Sequence, residues 1–262
     1  MQHVDYLPAC VGGLELAIFG TNTNPGAPIV IFAHGRTGSM HSSFGYCREL
    51  AQAGLISIAF DQRNHGRRIV DPRCSQPWNI HRASDMYGLL LGGAMDVGLI
   101  IDMLPARLGI ITDRVGMSGI SMGGHATLLA MTMDSRIQVG APMIASGDYR
   151  RLMELRAVEN KLPPEEFTRY YPDALQPLVD KYDPITHPER FADRPLLLSN
   201  GEADTLVQIE CNQRLEAAIR PYYTQAERLS LVPYPGVGHA VPTEMWQTAK
   251  TWLIRWLLHE SL

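Results

Sequence analysis

VGMSGISMGG, residues 115–124, sets two serines three positions apart among glycines, directly after a short apolar run. Only one of the two is flanked by glycine on both sides at a spacing of two. Ser118 lacks the second glycine, whereas Gly119-Ile120-Ser121-Met122-Gly123 completes the pattern G-x-S-x-G. That spacing suits a tight turn from the end of a strand into the start of a helix. Glycines two residues before and after let strand and helix approach each other while the serine takes a strained backbone conformation. The hydroxyl then stands above the sheet beside a helix N-terminus, where the dipole and free N–H groups favour developing negative charge. In a chain with 23 glycines the bare pattern is weak, and context sharpens it. RVGM before it reads as strand and HATLLAMTM after it as helix. The plain alternative is an incidental serine in a glycine-rich turn.

A serine hydroxyl is a poor nucleophile until a base takes its proton, and the base needs an orienting acid. For a nucleophile on such a turn the chain order is serine, acid, histidine, with the last two on loops after later strands. PLLLSN runs into Gly201-Glu202-Ala203-Asp204, which puts Asp204 just beyond a strand's carboxyl end. RLSLVP runs into Tyr234-Pro235-Gly236-Val237-Gly238-His239, which puts His239 on the loop between the last strand and the last helix. Glu202 is the rival acid; Asp193 precedes its strand and belongs at the opposite end. Acyl transfer also needs N–H donors for the tetrahedral oxyanion. Met122, directly after the nucleophile, offers one. Arg36 offers the other, in the loop His34-Gly35-Arg36-Thr37-Gly38 after the strand PIVIFA, with Gly35 making the bend. His34 has no second metal ligand at suitable spacing, so its ring is read as structural.

Around this centre, strands are predicted near 13–20, 28–33, 55–60, 114–118, 137–144, 195–200 and 228–233, several of them short continuous apolar runs. Helices are predicted at 42–53, 86–104, 122–133, 207–220 and 242–258. The alternation points to an α/β class protein with an open, mostly parallel, doubly wound sheet. In the last helix Trp246, Trp252 and Trp256 form a stripe at helical period, read as core packing. Residues 147–190 are charged, proline-containing and only locally helical, and read as a lid-like insertion over one edge of the sheet. Too few apolar residues lie there to build a separate core, so the 262 residues are taken as one domain. The 62–84 stretch is longer than an ordinary connection.

Composition narrows the function classes. With 23 Lys+Arg against 27 Asp+Glu, the net charge of −4 makes no electrostatic case for nucleic acid or an anionic membrane. No apolar run approaches the ~18 residues of a membrane span, and the first ten residues do not read as a secretory signal. Cysteines at 10, 47, 74 and 211 form no CxxC pair. They fit free thiols in a reducing compartment, so a cytoplasmic location is expected. Neither a phosphate loop nor a metal-ligand cluster is evident, so no cofactor and no metal are expected; self-association is left open.

Taken together, HGRTG, FDQRNHGRR, GISMGG, LLLSNGEADTLV and GVGHAV, in that order along nearly the whole chain, resemble the α/β-hydrolase superfamily. The chain is most similar to its dienelactone-hydrolase and prolyl-oligopeptidase-like branch. FDQRNHG resembles a D-x-R-x-x-G turn of that superfamily, with Asp61, Arg63 and Gly66 at the matching places and a structural role implied. Dienelactone hydrolases carry a cysteine where Ser121 stands. The resemblance therefore implies a serine carboxylesterase that cleaves small to medium esters through an acyl-enzyme. The implied triad is Ser121, Asp204 and His239, with the Arg36 and Met122 N–H groups as oxyanion donors. A peptidase, a thioesterase or acyltransferase, and a non-catalytic binding protein on the same scaffold are the alternatives. A dehalogenase would want a carboxylate in place of Ser121. Trp78, Tyr87, Tyr149 and Tyr170 are candidate pocket liners, and the Arg36 side chain is a candidate selector for acidic substrates.

Overall fold

The computed structural model describes residues 6–20, 26–72, 83–110 and 113–259. Its strands are β1 (Leu7–Val11), β2 (Leu14–Phe19), β3 (Ile29–Ala33), β4 (Ile56–Phe60), β5 (Val115–Ile120), β6 (Ile137–Met143), β7 (Leu196–Gly201) and β8 (Leu229–Tyr234). They form one sheet in the order β1-β2-β4-β3-β5-β6-β7-β8. β2 pairs antiparallel with β1 and β4, and every other neighbour is parallel. This is the α/β-hydrolase fold. The strand before the first predicted one, β1, is not legible as a strand from its residues. LPACV carries a proline, tolerated because β1 is an edge strand, and only Val11 is fully buried. Gly12 and Gly13, both at positive φ, make the two-residue turn that joins β1 to β2.

Both faces of the sheet are covered, which explains the continuous apolar runs: every residue of β3 and β4 is buried. On one face lie α1 (Phe44–Gln52) and α8 (Thr243–Ile254), packed on Phe19, Phe32 and Leu197. Trp246 and Trp256 are buried in that layer and Trp252 packs on it, so the tryptophan stripe is core. On the other face lie α2 (Ala83–Leu108), α3 (Met122–Met133) and α7 (Glu210–Ile219). α2 is long and apolar enough to cross a bilayer, and more than half of that apolar stretch is buried inside the protein.

Residues 147–190 hold three helices, α4 (Tyr149–Glu159), α5 (Pro164–Tyr170) and α6 (Gln176–Tyr182), and so are more regular than their composition suggests. β8 lies beyond β7, so the chain between β6 and β7 emerges over the interior of the sheet rather than at an edge. Tyr149, Leu152, Met153, Tyr171 and Val179 join the same apolar layer as α2 and α3. Asp183, at the end of α6, is buried, and its Oδ2 accepts the Tyr149 N–H at 2.8 Å. Burial holds its carboxyl well above the usual carboxylate range, with Asp148 and Asp180 adding to the rise. A folded-state pKa raised above the unfolded value means stability present at low pH and lost as pH rises toward the folded value. Asp183→Asn is therefore expected to leave the melting temperature nearly unchanged at pH 4 and to raise it progressively relative to wild type toward pH 9. Circular dichroism melts across that range check this; a gap that shrinks with rising pH would contradict it.

Candidate active site

The turn between β5 and α3 is as tight as the glycine spacing demands. Ser121 sits at φ 53°, ψ −112°, a region that L-residues rarely adopt. A Cβ on Gly119 would lie 2.6 Å from the Gly123 carbonyl carbon and 2.7 Å from the Ala33 oxygen. One on Gly123 would collide with the Ala33 carbonyl, and one on Gly124 would lie 2.6 Å from the Ala145 Cβ. The glycines thus let α3 lie against the ends of β3 and β6. The Ser121 N–H donates to the Met143 carbonyl at 2.9 Å, which ties the turn to β6. The other serine is structural. Ser118 is fully buried and its hydroxyl donates to the Ala141 carbonyl at 2.7 Å, bridging β5 and β6.

The sequence-predicted partners converge on Ser121. His239 Nε2 lies 2.9 Å from Ser121 Oγ, and His239 Nδ1 lies 2.7 Å from Asp204 Oδ2. Asp204 is buried, and its second oxygen accepts the N–H groups of Leu206 and Val207, each at 2.9 Å. The two loops are joined directly: Glu202 N–H donates to Tyr234 O and Ala203 N–H to Val237 O, both at 3.0 Å. Gly201 permits this approach, since a Cβ there would strike the Val237 carbonyl. The rival Glu202 is exposed, and the Asp193 carboxylate accepts from the Thr224 N–H and hydroxyl, away from the serine.

The loop after β3 reaches the same place. Gly35 lies beside Ile120 and Ser121, and the Gly38 N–H donates back to Gly35 O at 3.1 Å. His34 holds the loop. Its Nδ1 donates to Gly35 O at 2.7 Å, and its Nε2 accepts the Gln62 N–H at 3.1 Å. Burial pushes its pKa down to about 4, so the ring stays neutral in that structural role. Asp61 braces the neighbouring turn by accepting the N–H groups of Met40 and Arg67 at 2.7 and 2.9 Å. Gly66, at φ 55°, lets the backbone pass over the Asp61 carboxylate. Arg63 and Arg68 both pair with buried Asp96, at 3.0 and 2.7 Å.

Ser121, Met122, His239, Gly35 and Arg36 open onto one cavity of about 620 Å³. Its remaining described walls come from Tyr46, Met86, Leu90, Ile144, Tyr149, Leu152, Leu206 and Val207 among others, so it is mainly apolar. Of the predicted liners among the described residues, only Tyr149 lines it. Tyr87 is a core residue packed on Tyr149, and Tyr170 packs on Met153 and Phe167 instead. Trp78 lies outside the described residues. Residues 62–72 contribute nothing to the described lining; Met86 and Leu90 of α2 do.

Among the cavity-wall residues outside the sequence-predicted set are His125 and Arg156. His125, one helical turn after Ser121 and buried, sets its Nδ1 2.9 Å from both the N–H and the carbonyl of Ser146, and burial pulls its pKa down to about 4. Arg156 of α4 is only 4% exposed, and burial lowers its pKa from the ordinary arginine value, with Tyr170 and Asp204 acting against that. A signal for it is present in the sequence. Tyr149, Leu152, Met153 and Arg156 fall at i, i+3, i+4 and i+7, so the arginine occupies the buried stripe of an amphipathic helix.

The chain is similar to known proteins in sequence and in fold. The Escherichia coli esterase YjfP is 28% identical over 227 residues, covering 86% of this chain and 87% of its own. The crystal structure of TT1662 from Thermus thermophilus superposes with a TM-score of 0.79 at 21% identity, over 99% of this chain and 100% of that one. The Pyrococcus furiosus esterase Pf2001 gives a TM-score of 0.65 at 19% identity, over 97% of this chain and 94% of that one. The family model described as the prolyl oligopeptidase family matches residues 93–259, a span that includes Ser121, Met122, Asp204 and His239. The chain belongs to the prolyl oligopeptidase family of hydrolases.

Proposed function

We propose that the protein is a carboxylesterase in which Ser121, His239 and Asp204 act as nucleophile, base and orienting acid. The observation that carries this reading is the imidazole bridge, 2.9 Å from the Ser121 hydroxyl on one nitrogen and 2.7 Å from Asp204 on the other. Those distances suit proton transfer without rearrangement. Ser121 Oγ attacks the ester carbonyl as His239 Nε2 takes its proton. The N–H groups of Arg36 and Met122 hold the oxyanion, Met122 being the first residue of α3, where helical N–H groups have no partner within the helix. Collapse expels the alcohol, which leaves with the proton from His239. Water then gives a proton to His239 and attacks the acyl-enzyme, and the proton returns to Ser121 Oγ as the acid departs. A cavity of about 620 Å³ suits a small to medium ester.

The test is pre-steady-state hydrolysis of p-nitrophenyl esters from acetate to octanoate, with intact-protein mass spectrometry. A nitrophenol burst close to one per protein and an acyl adduct on Ser121 are expected. No burst and no adduct with any ester would overturn the reading. Faster turnover of matched anilides than of esters would replace it with the peptidase reading.

A further inference from the structure

We propose that the ester cleaved at Ser121 carries a second, anionic group, a carboxylate, and that Arg156 recognises it. This rests on the esterase reading and adds its substrate class. Among the described residues, the wall of the Ser121 cavity contains two arginines, Arg36 and Arg156, and no aspartate or glutamate. A cleft walled by one sign of charge and otherwise apolar concentrates field lines on what enters it.

Arg156 is the sharper of the two. It stands on the buried face of α4, between Met153 and Ala157, where packing alone would favour an aliphatic residue. Placing a guanidinium there carries a desolvation cost that a pocket for purely apolar esters has no reason to bear. The guanidinium carries its charge at neutral pH. It donates a hydrogen bond to the Tyr170 hydroxyl, and the charged groups that act on it are the carboxylates of Asp204 and Glu159. Of these, Asp204 is already engaged on both oxygens, by His239 on one and by Leu206 and Val207 on the other. The arginine's position is firm, because α4 is anchored from outside the cavity by Arg151–Glu210 at 2.7 Å and Asp148–Arg214 at 2.6 Å. A planar guanidinium in a low-dielectric wall selects a carboxylate by paired hydrogen bonds as well as by charge.

Two substrate pairs test this. One sets p-nitrophenyl hexanoate against the mono-p-nitrophenyl ester of hexanedioic acid, which places the anion on the acyl side. The other sets 4-nitrophenyl butyrate against 2-carboxy-4-nitrophenyl butyrate, which places it on the alcohol side. The readout is the ratio of kcat/KM for the anionic over the neutral ester. In one pair that ratio is expected to fall by roughly tenfold or more in Arg156→Met relative to wild type. Arg156→Lys is expected to keep the direction of the preference, and Arg107→Gln, the same charge loss at an exposed remote site, to keep the wild-type ratio. A measurement that needs no variant stands beside these: hexanedioate should inhibit wild-type hydrolysis of the neutral ester more strongly than hexanoate does. If neutral esters acylate Ser121 normally while both ratios are insensitive to Arg156 and hexanoate inhibits as well as hexanedioate, this inference alone fails. If no ester of either kind acylates Ser121, the esterase reading fails and takes the inference with it.

Discussion

Ser121→Ala is expected to lower kcat for p-nitrophenyl esters by about 10⁴-fold or more, since it removes the hydroxyl that His239 is placed to deprotonate. Ser118, three residues earlier, is fully buried and committed to the Ala141 carbonyl, so it offers no substitute. The same position makes a second, independent expectation. At φ 53° and ψ −112° the backbone of residue 121 is strained for any residue with a Cβ, by an amount on the order of 1–3 kcal/mol. Glycine adopts such angles freely but loses more chain entropy on folding, which offsets part of the gain. Ser121→Gly is therefore expected to be as inactive as Ser121→Ala and to melt about 2–4 °C above it. Steady-state kinetics and calorimetry on the two variants check both statements. An alanine variant with wild-type turnover would remove Ser121 from the mechanism. A glycine variant that melts below the alanine one would show that the turn is not under strain.

Asp204→Asn is expected to lower kcat by roughly 10³–10⁴-fold while leaving the fold intact. Both oxygens of Asp204 are acceptors: Oδ2 faces the His239 ring, and Oδ1 takes the Leu206 and Val207 N–H groups. An asparagine can satisfy only one side. With its oxygen toward residues 206 and 207, its amide N–H meets His239 Nδ1 and favours the imidazole tautomer with the proton on Nε2. That nitrogen then cannot accept the serine proton. Turned the other way, the amide N–H groups meet two backbone donors and a buried repulsion replaces two hydrogen bonds. The first arrangement costs less, so the predicted defect is in kcat with the melting temperature little changed. Turnover near that of wild type would show that Asp204 does not set the tautomer.

Particular residues show how far the sequence is readable. G-x-S-x-G singles out Ser121 because the requirement is steric and local. Gly119, Gly123 and Gly124 each sit where a Cβ would meet backbone or a neighbouring Cβ. Asp204 and His239 follow from chain order, since each lies just past a strand end in a parallel sheet and such loops gather on one side. The structural reading of His34 agrees with a ring that bridges Gly35 and Gln62. β1 escapes a sequence reading because an edge strand pairs on one side only and needs neither continuous burial nor the absence of proline. The aromatic liners largely escape it too, because type and proximity in sequence do not say which way a ring points. Tyr87 and Tyr149, far apart along the chain, pack with ring centroids 4.7 Å apart, and only one of them reaches the cavity.

The fold class, the serine turn and the order of its partners were determined by sequence alone, because they rest on backbone sterics and strand periodicity, which act over a few residues. The contents of the cavity wall were decided only by tertiary structure. Met86 of α2, Arg156 of α4 and Val241 before α8 meet there from distant parts of the chain. Their meeting depends on how α2 and α4 settle against α3, and that is set by the packing of the whole apolar layer rather than by any local pattern.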